Sequence, residues 1–435
     1  MALIITQPDS SSTDEASIPS PLNRYRAVRA QTARLCEPLA LEDYVIQSMP
    51  DASPTRWHIA HTTWFFETFF LAKAIHRYRP YRPEYSYLFN SYYNAVGEQF
   101  PRPDRGVLSR PTVGEIMEYR AYVDRQMETL LKTMGINIDP ALAEILVIGL
   151  NHEQQHQELM LTDIKHAFSL NPLEPAYVDR VIIKRDEPAM SLGWVPFEEG
   201  VREIGHSGDG FCFDNERPRH RVFLEPFELS NRLVTNADFL HFIEDGGYER
   251  PALWLSEGWT QVEEHGWRAP LYWRKRDGGW RQFSLLGLRP LVDAEPVSHV
   301  SFFEADAFAR WADARLPTEV EWEVSSELAS IEGNFADSGI LHAQPAAPAE
   351  ASACPIHQMF GDLWEWTASQ YLPYPGYRPP EGAIGEYNGK FMCNQFVLRG
   401  GSCATPRGHI RRTYRNFFPP AARWQFSGFR LARSR

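Results

Sequence analysis

Three histidines on two stretches of helical texture are the residues best placed to do chemistry. In His152-Glu-Gln-Gln-His156 the two imidazoles stand four residues apart. On a helix that spacing puts them on one face about one turn apart, so both can reach a single ion. Glu153 follows His152 directly, the place where a metal-assisted hydrolase carries its general base. A second pair, His58 and His61, lies in a segment crowded with Trp57, Trp64, Phe65 and Phe66. An imidazole among so many aromatics needs a partner, either a core hydrogen bond or a metal. One His from this segment and two from the other make three neutral nitrogen donors, a set that suits zinc, iron or copper. They leave the full 2+ charge on the ion and up to three vacant positions on a six-coordinate one. A structural zinc site, by contrast, is closed by four protein ligands. Such a centre attracts an anionic donor such as a thiolate and suits oxygen chemistry. Spacing does not choose between His58 and His61, and a His58 ligand would make a four-histidine site.

For these side chains to meet, the segments carrying them must be helices packed on one another. Residues 24–47 space their apolar side chains by three and four. Ser53 reads as the N-cap, and Pro54 as the first turn, of a second helix carrying residues 55–75. A loop rich in Tyr, Asn and Pro spans about residues 77–110. Thr112 opens a third helix and Asp139-Pro140 a fourth. Four such helices in series predict an antiparallel four-helix bundle over 21–171. Residues 1–20, rich in Ser, Asp and Pro, read as a disordered tail. Beyond 171 the texture changes to short alternating segments, 180–185 and 220–230, between Gly and Pro punctuation. Helical patterns recur at 236–247 and 301–314. Residues 172–435 are therefore expected to form an α+β domain of low regular secondary structure. The chain is multidomain, α followed by α+β.

Bulk properties narrow the partners. The 435 residues carry a net charge of -12 with no block of Lys and Arg, which argues against a nucleic-acid grip. The local cluster Arg407 to Arg415 reads as an anion pocket instead. Hydrophobic residues at 43% and charged ones at 23% are ordinary for a soluble chain. The 13 Trp suggest much irregular, Trp-pinned structure. Five scattered cysteines without a CxxC point to a reducing compartment. The N-terminus lacks the marks of a signal peptide, and no run reaches the ~20 apolar residues of a membrane span. These features predict a cytoplasmic protein with no membrane partner.

Several segments carry a resemblance. They are SPTRWHIAHTTWFFE (53–67), LFNSYYNAVG (88–97), NHEQQHQELM (151–160), RLPTEVEWE (315–323), GDLWEWTAS (361–369), VLRGGSC (397–403), RRTYRN (411–416) and GFRLAR (428–433). In this order the chain resembles the ergothioneine-biosynthetic sulfoxide synthases over almost its whole length. The resemblance implies a DinB-like four-helix bundle followed by a C-type-lectin-like domain of the formylglycine-generating-enzyme kind. It implies that His61, rather than His58, joins His152 and His156 in holding Fe(II). It also implies the reaction, in which O2, a thiol and hercynine, the trimethylated histidine betaine, give a carbon–sulfur bond at imidazole C2 and a sulfoxide. Tyr92 and Tyr93 are then the candidate proton or electron donors, with Tyr93 favoured. The resemblance further implies that Gln155 contacts the substrate imidazole and Asn416 the hercynine carboxylate. Phe417 stands where the family has Trp and keeps an aromatic face for the quaternary ammonium.

Two departures bear on the thiol. Phe418 replaces a family Asp, and Gln99 replaces one of two arginines that serve a γ-glutamyl group, while Arg102 remains to pair with a carboxylate. Free cysteine is therefore the expected co-substrate, with γ-glutamylcysteine the alternative. An ovothiol-type enzyme acting on unmethylated histidine usually carries a methyltransferase domain, and none follows GFRLARSR here. A sulfatase activator would need paired cysteines after RGGS, and Cys403 stands alone. The non-enzymatic alternative is a metal-stabilised, lectin-like binding module.

Overall fold

The computed structural model of the chain describes residues 20–178, 190–208, 210–347 and 354–435. The tail expected before residue 20 and the strand expected at 180–185 lie outside these. The first half is built on four long helices, α1 (Pro21–Cys36), α2 (Thr55–Phe65), α3 (Val113–Met134) and α4 (Pro140–Leu170). Local chemistry starts three of them. The Ser20 side chain accepts from the backbone N–H of Asn23. Thr112 and Glu115 form a reciprocal capping box, and Asp139 accepts from the N–H groups of Ala141 and Leu142 with Pro140 at the first turn.

The start of α2 differs from expectation. Pro54 is itself the cap residue, and the Ser53 hydroxyl accepts from Arg105 instead, at 2.9 Å. A buried arginine from a distant loop has taken the oxygen that would otherwise cap the helix. α2 then runs into a π-helical turn, Phe66–Leu71, a distortion that often marks functional sites. Its Glu67 carboxylate accepts from Tyr78, Tyr119 and the Tyr81 N–H, and so anchors the start of the following loop.

Side-chain pairing fixes the directions. Arg29 and Arg26 of α1 meet Asp124 and Glu128 of α3, so these helices are antiparallel. His58, His61 and Phe65 of α2 meet Asp163, His152 and the Gly149 position of α4, again antiparallel. Three helices converge on Glu153, which accepts from Arg29 and Thr32 of α1 and from Arg120 of α3. Burial opposes its ionisation, yet the two guanidiniums and Thr32 hold its carboxyl down at about 2. Its partners make it a structural anion behind the histidines, not a general base.

The second half is pieced from small sheets. Antiparallel β1 (Trp194–Phe197), β4 (Phe227–Ser230) and β12 (Ala432–Ser434) form one. Another has the order β10 (Asn416–Phe418), β9 (Phe396–Arg399), β8 (Trp364–Gln370), β11 (Ser427–Gly428). A hairpin, β2 (Gly200–Ile204) with β3 (His220–Leu224), and a meander of β5 (Trp273–Arg276), β6 (Gly279–Ser284) and β7 (Gly287–Pro290) complete the strands. The short helices are α5 (Asn236–Glu244), α6 (Ser256–His265), α7 (Phe302–Trp311) and α8 (Glu319–Ser325).

Buried ion pairs knit these pieces together: Arg399 with Glu323, Arg415 with Glu319, and Arg430 with Glu365. Arg411 pairs with Glu216 as well. The cluster Arg407 to Arg415, which reads in sequence as an anion pocket, thus spends two of its guanidiniums on internal carboxylates. Among the described residues no helix is long and apolar enough to cross a membrane.

Candidate metal centre and the cavity beside it

His61 on α2 and His152 and His156 on α4 offer ligand atoms that all lie within 4.8 Å of one another. All three side chains are buried, and burial holds His61 and His156 well below the usual imidazole range and His152 at about 3. They are neutral at pH 7, the state a metal requires. His61 Nδ1 lies 2.6 Å from the Phe89 carbonyl. A carbonyl only accepts, so Nδ1 carries the proton and Nε2 presents its lone pair, 3.1 Å from His152 Nε2.

His58, the residue that spacing left open, acts on His156. Its Nε2 lies 3.0 Å from the Asp163 carboxylate, and its Nδ1 lies 2.8 Å from His156 Nδ1. The carboxylate takes the Nε2 proton of His58. His58 Nδ1 therefore accepts from His156, whose Nε2 is left bare. Relays of this kind set the tautomer of a metal-binding histidine. Trp57 stacks on His61 at 4.6 Å between ring centroids, and the Arg105 guanidinium lies 3.3 Å over the Trp57 ring. Sequence reasoning missed Asp163, Arg105 and the part played by His58. The one local signal was Trp57, four residues before His61 and so on the same helix face. Three buried, neutral, convergent nitrogens with no carboxylate among them fit a divalent first-row metal.

The other candidates surround this centre unevenly. Tyr93 is fully buried, and its ring contacts are with Trp64, Phe65, Phe69 and Tyr92. Phe65 in turn packs at 4.8 Å on His152. The Tyr92 hydroxyl is 3.4 Å from that of Tyr93. Burial raises both phenols, so both stay protonated. Gln155 spans the domains: its amide nitrogen donates to the Tyr414 hydroxyl at 2.7 Å, and its amide oxygen accepts from Tyr387. Tyr414 also bonds His409, which bonds Asn151 of α4. The roles of Tyr387 and Tyr414 were not legible in the sequence, because each stands more than 200 residues from Gln155.

Asn416 and Phe417 lie on β10. The Asn416 oxygen accepts from the Phe417 N–H. The Phe417 ring stacks on Tyr371 at 4.0 Å and faces Phe391 at 5.9 Å, and Phe391 reaches Tyr92 at 5.3 Å. Arg102 stands apart, exposed, its guanidinium donating to the Asp51 carbonyl. Cys403 is buried, and burial pushes its thiol well above the usual range.

Beside the centre is a cavity of about 650 Å³ between the first turns of α4 and the second domain. Phe213, Asp214, Arg217, Tyr377, Tyr387 and Asn388 line it together with Glu144 and Ile148 of α4. Ile148 precedes His152 by four residues, roughly 6 Å along the helix. Tyr387 forms the partition, its ring 5.8 Å from that of His152.

A helical bundle and an irregular α+β domain that close together on buried imidazoles define a two-domain protein with its site at the junction. The chain matches the DinB superfamily over residues 24–160 and the sulfatase-modifying factor enzyme 1-like domain over 183–435. It is 33% identical to the hercynine oxygenase of Mycolicibacterium smegmatis, across 93% of this chain and 96% of that protein. The identity to the hercynine oxygenase of Mycobacterium tuberculosis is 36%, across 66% of this chain and 71% of that one. Ergothioneine biosynthesis protein 1 of Schizosaccharomyces pombe is 27% identical across 52% of this chain and 28% of its own length. The chain belongs to the hercynine oxygenase family.

Proposed function

We propose that the chain is a hercynine oxygenase of ergothioneine biosynthesis, joining a thiol to C2 of hercynine and oxidising the new thioether to its sulfoxide. One observation carries this reading. Three neutral imidazoles from α2 and α4 converge where the two domains meet, in a chain that aligns along nearly its whole length with a hercynine oxygenase. The reaction balances as one thiol, one ring C–H and one O2 giving the sulfoxide and water. Oxygen takes four electrons, two from the coupling and two from sulfur. One oxygen atom ends in the product and the other leaves with both hydrogens.

Fe(II) is the proposed metal, held by His61, His152 and His156. Bound there, it would supply the site of oxygen reduction. The chain's own residues do the rest. Gln155, one residue before His156, holds the substrate imidazole, which takes the place of Tyr387 on its amide oxygen. Tyr93 keeps a phenolic proton among buried aromatic rings, and Tyr92 is its neighbour toward the second domain. Asn416 has a side-chain nitrogen that makes no bond among the described residues and is free to donate to the hercynine carboxylate. Cysteine is the proposed thiol donor; Arg102, which the sequence offers to its carboxylate, instead donates to the Asp51 carbonyl. The departures at Gln99 and Phe418 support cysteine over a dipeptide, because Phe418 packs on Trp424 and offers no charge. The setting is proposed to be the cytoplasm.

The test is oxygen uptake. Protein purified without oxygen and loaded with Fe(II) is mixed with hercynine and either cysteine or γ-glutamylcysteine. Uptake with cysteine, together with sulfoxide product, is expected. No uptake with either thiol overturns the function, and uptake with the dipeptide alone overturns the choice of thiol.

A further inference from the structure

The loop that carries Tyr92 and Tyr93 belongs to the first domain, but part of its backbone is held by the second. Asn90 of the same loop secures Tyr93: its side-chain oxygen accepts from the Tyr93 N–H, and its nitrogen donates to the Tyr93 carbonyl, each at 3.1 Å. The flanking groups fall to Glu386 and Lys390, on two short 3-10 turns of the second domain, Ala383–Glu386 and Gly389–Phe391. The Glu386 carboxylate accepts from the N–H groups of Asn94 at 3.0 Å and Ala95 at 2.7 Å, and Lys390 donates to the Tyr92 carbonyl. The two side chains pair with each other at 2.7 Å. One ion pair thus grips the backbone on both sides of Tyr93, and charged partners make the stronger hydrogen bonds.

The rings repeat this division. Apart from Tyr92, Tyr93 packs on Trp64, Phe65 and Phe69, all of the first domain. Tyr92 is packed by Phe391 at 5.3 Å and Tyr387 at 6.2 Å, and the Lys390 ammonium lies 5.3 Å over its ring. The two hydroxyls meet at 3.4 Å, and among the described residues the Tyr93 hydroxyl has no other hydrogen-bonding partner. The second domain therefore reaches the Tyr93 phenol through Tyr92. Neither Glu386 nor Lys390 bonds a histidine of the centre or Gln155.

We propose that Glu386 and Lys390 are positioning residues for the oxygen reaction: they hold the Tyr92 turn, and through the Tyr92 hydroxyl the second domain sets where the Tyr93 phenol stands. This rests on the role given to Tyr93 in the hercynine reading above. A proton donor must lie within hydrogen-bond reach of its target and point at it, so a shift of about 1 Å by a group far from the chemistry can cost much of the rate. Loss of the clamp should thus resemble a mild loss of the phenol itself, with the metal and the substrate contacts left in place.

The test has two readouts. Amide exchange in the metal-free protein reads the turn itself, because among the described residues the Ala95 N–H has no acceptor but Glu386. Glu386→Ala is expected to speed exchange at Ala95 about tenfold. Loaded with Fe(II), the same variant is expected to make about threefold less sulfoxide per oxygen consumed, while its hercynine affinity, measured under nitrogen, stays within about twofold of wild type. Glu386→Gln keeps an acceptor oxygen for the turn and is expected to recover part of both losses. Lys390→Met keeps the stem but frees the Tyr92 carbonyl; it is expected to lower the product ratio in the same way and carries the test if Glu386→Ala does not fold. Unchanged exchange, or faster exchange with an unchanged product ratio, overturns the inference. A matching loss of hercynine affinity also overturns it, because the whole segment around Tyr387 would then have loosened. Wild-type protein that makes no sulfoxide overturns the functional reading instead.

Discussion

The tautomer of one imidazole is the finest feature on which the centre depends. His156 can offer Nε2 only while its Nδ1 proton is accepted by His58, and His58 can accept only while Asp163 takes its other proton. Asp163→Asn can present an N–H to His58 instead, which reverses the relay and places a proton on the ligand nitrogen of His156. Fe(II) affinity is expected to fall about 10- to 100-fold with all three ligands intact, as measured by competition with a chelator. Unchanged affinity would show that the relay is idle. Tyr93 makes the complementary case, since its hydroxyl contacts Tyr92 and no histidine. Tyr93→Phe is expected to bind iron normally but to make much less sulfoxide per oxygen consumed, and product analysis at full turnover decides it. At this scale the sequence was half legible. Spacing brought His58, His61, His152 and His156 forward together, but dividing ligands from support required Asp163, 105 residues away from His58.

The centre also depends on how closely α2 approaches α4. Gly149 permits it, because a Cβ there would sit 2.6 Å from a ring carbon of Phe66 and 3.0 Å from one of Phe65. Phe65 packs directly on His152. Gly149→Leu gains up to ~1 kcal/mol of helix propensity, and overpacking costs about 1–3 kcal/mol, so steric crowding wins. The variant is expected to unfold at lower urea and to bind Fe(II) more weakly, because the helices must part exactly where the imidazoles converge. A rise in stability with unchanged metal affinity would mean the rings simply move aside. Elements were legible wherever their signals were local. Thr112 with Glu115, and Asp139 with Pro140, announce α3 and α4 from adjacent residues. The start of α2 was misread because Arg105 takes the Ser53 oxygen, and the π turn after it has no local signature. In the second domain, pairs such as Arg399–Glu323 and Arg430–Glu365 join motifs 76 and 65 residues apart, so the motifs are visible in sequence while the pairing is not.

Seen as a whole, the molecule has its domains joined by buried polar groups. Glu158 of α4 accepts from Trp364, Ser402 and Thr405 across the junction. Just before Trp364 lies Asp362, which is buried and accepts from the Asn334 and Gln358 side chains and from the Gln344 N–H. Burial raises its carboxyl to about 6 against those hydrogen bonds, well above its ordinary value near 4. Between about pH 4 and pH 6 the folded protein therefore holds a proton that the unfolded chain has released. More protons bound in the folded state means that stability falls as pH rises through this window. About two pH units correspond to a loss on the order of 3 kcal/mol, fully present by neutral pH. Asp362→Asn isolates the effect. Asn tolerates the left-handed backbone found here, φ 53°, and keeps an oxygen for the Asn334 and Gln344 donors without a proton to lose, giving up only the long bond from Gln358. Urea unfolding of both proteins from pH 4 to pH 7 should show the variant gaining on the wild type through the window and running parallel to it above. A difference that stays constant over that range would mean Asp362 is ionised in the folded state throughout, with its hydrogen bonds outweighing burial.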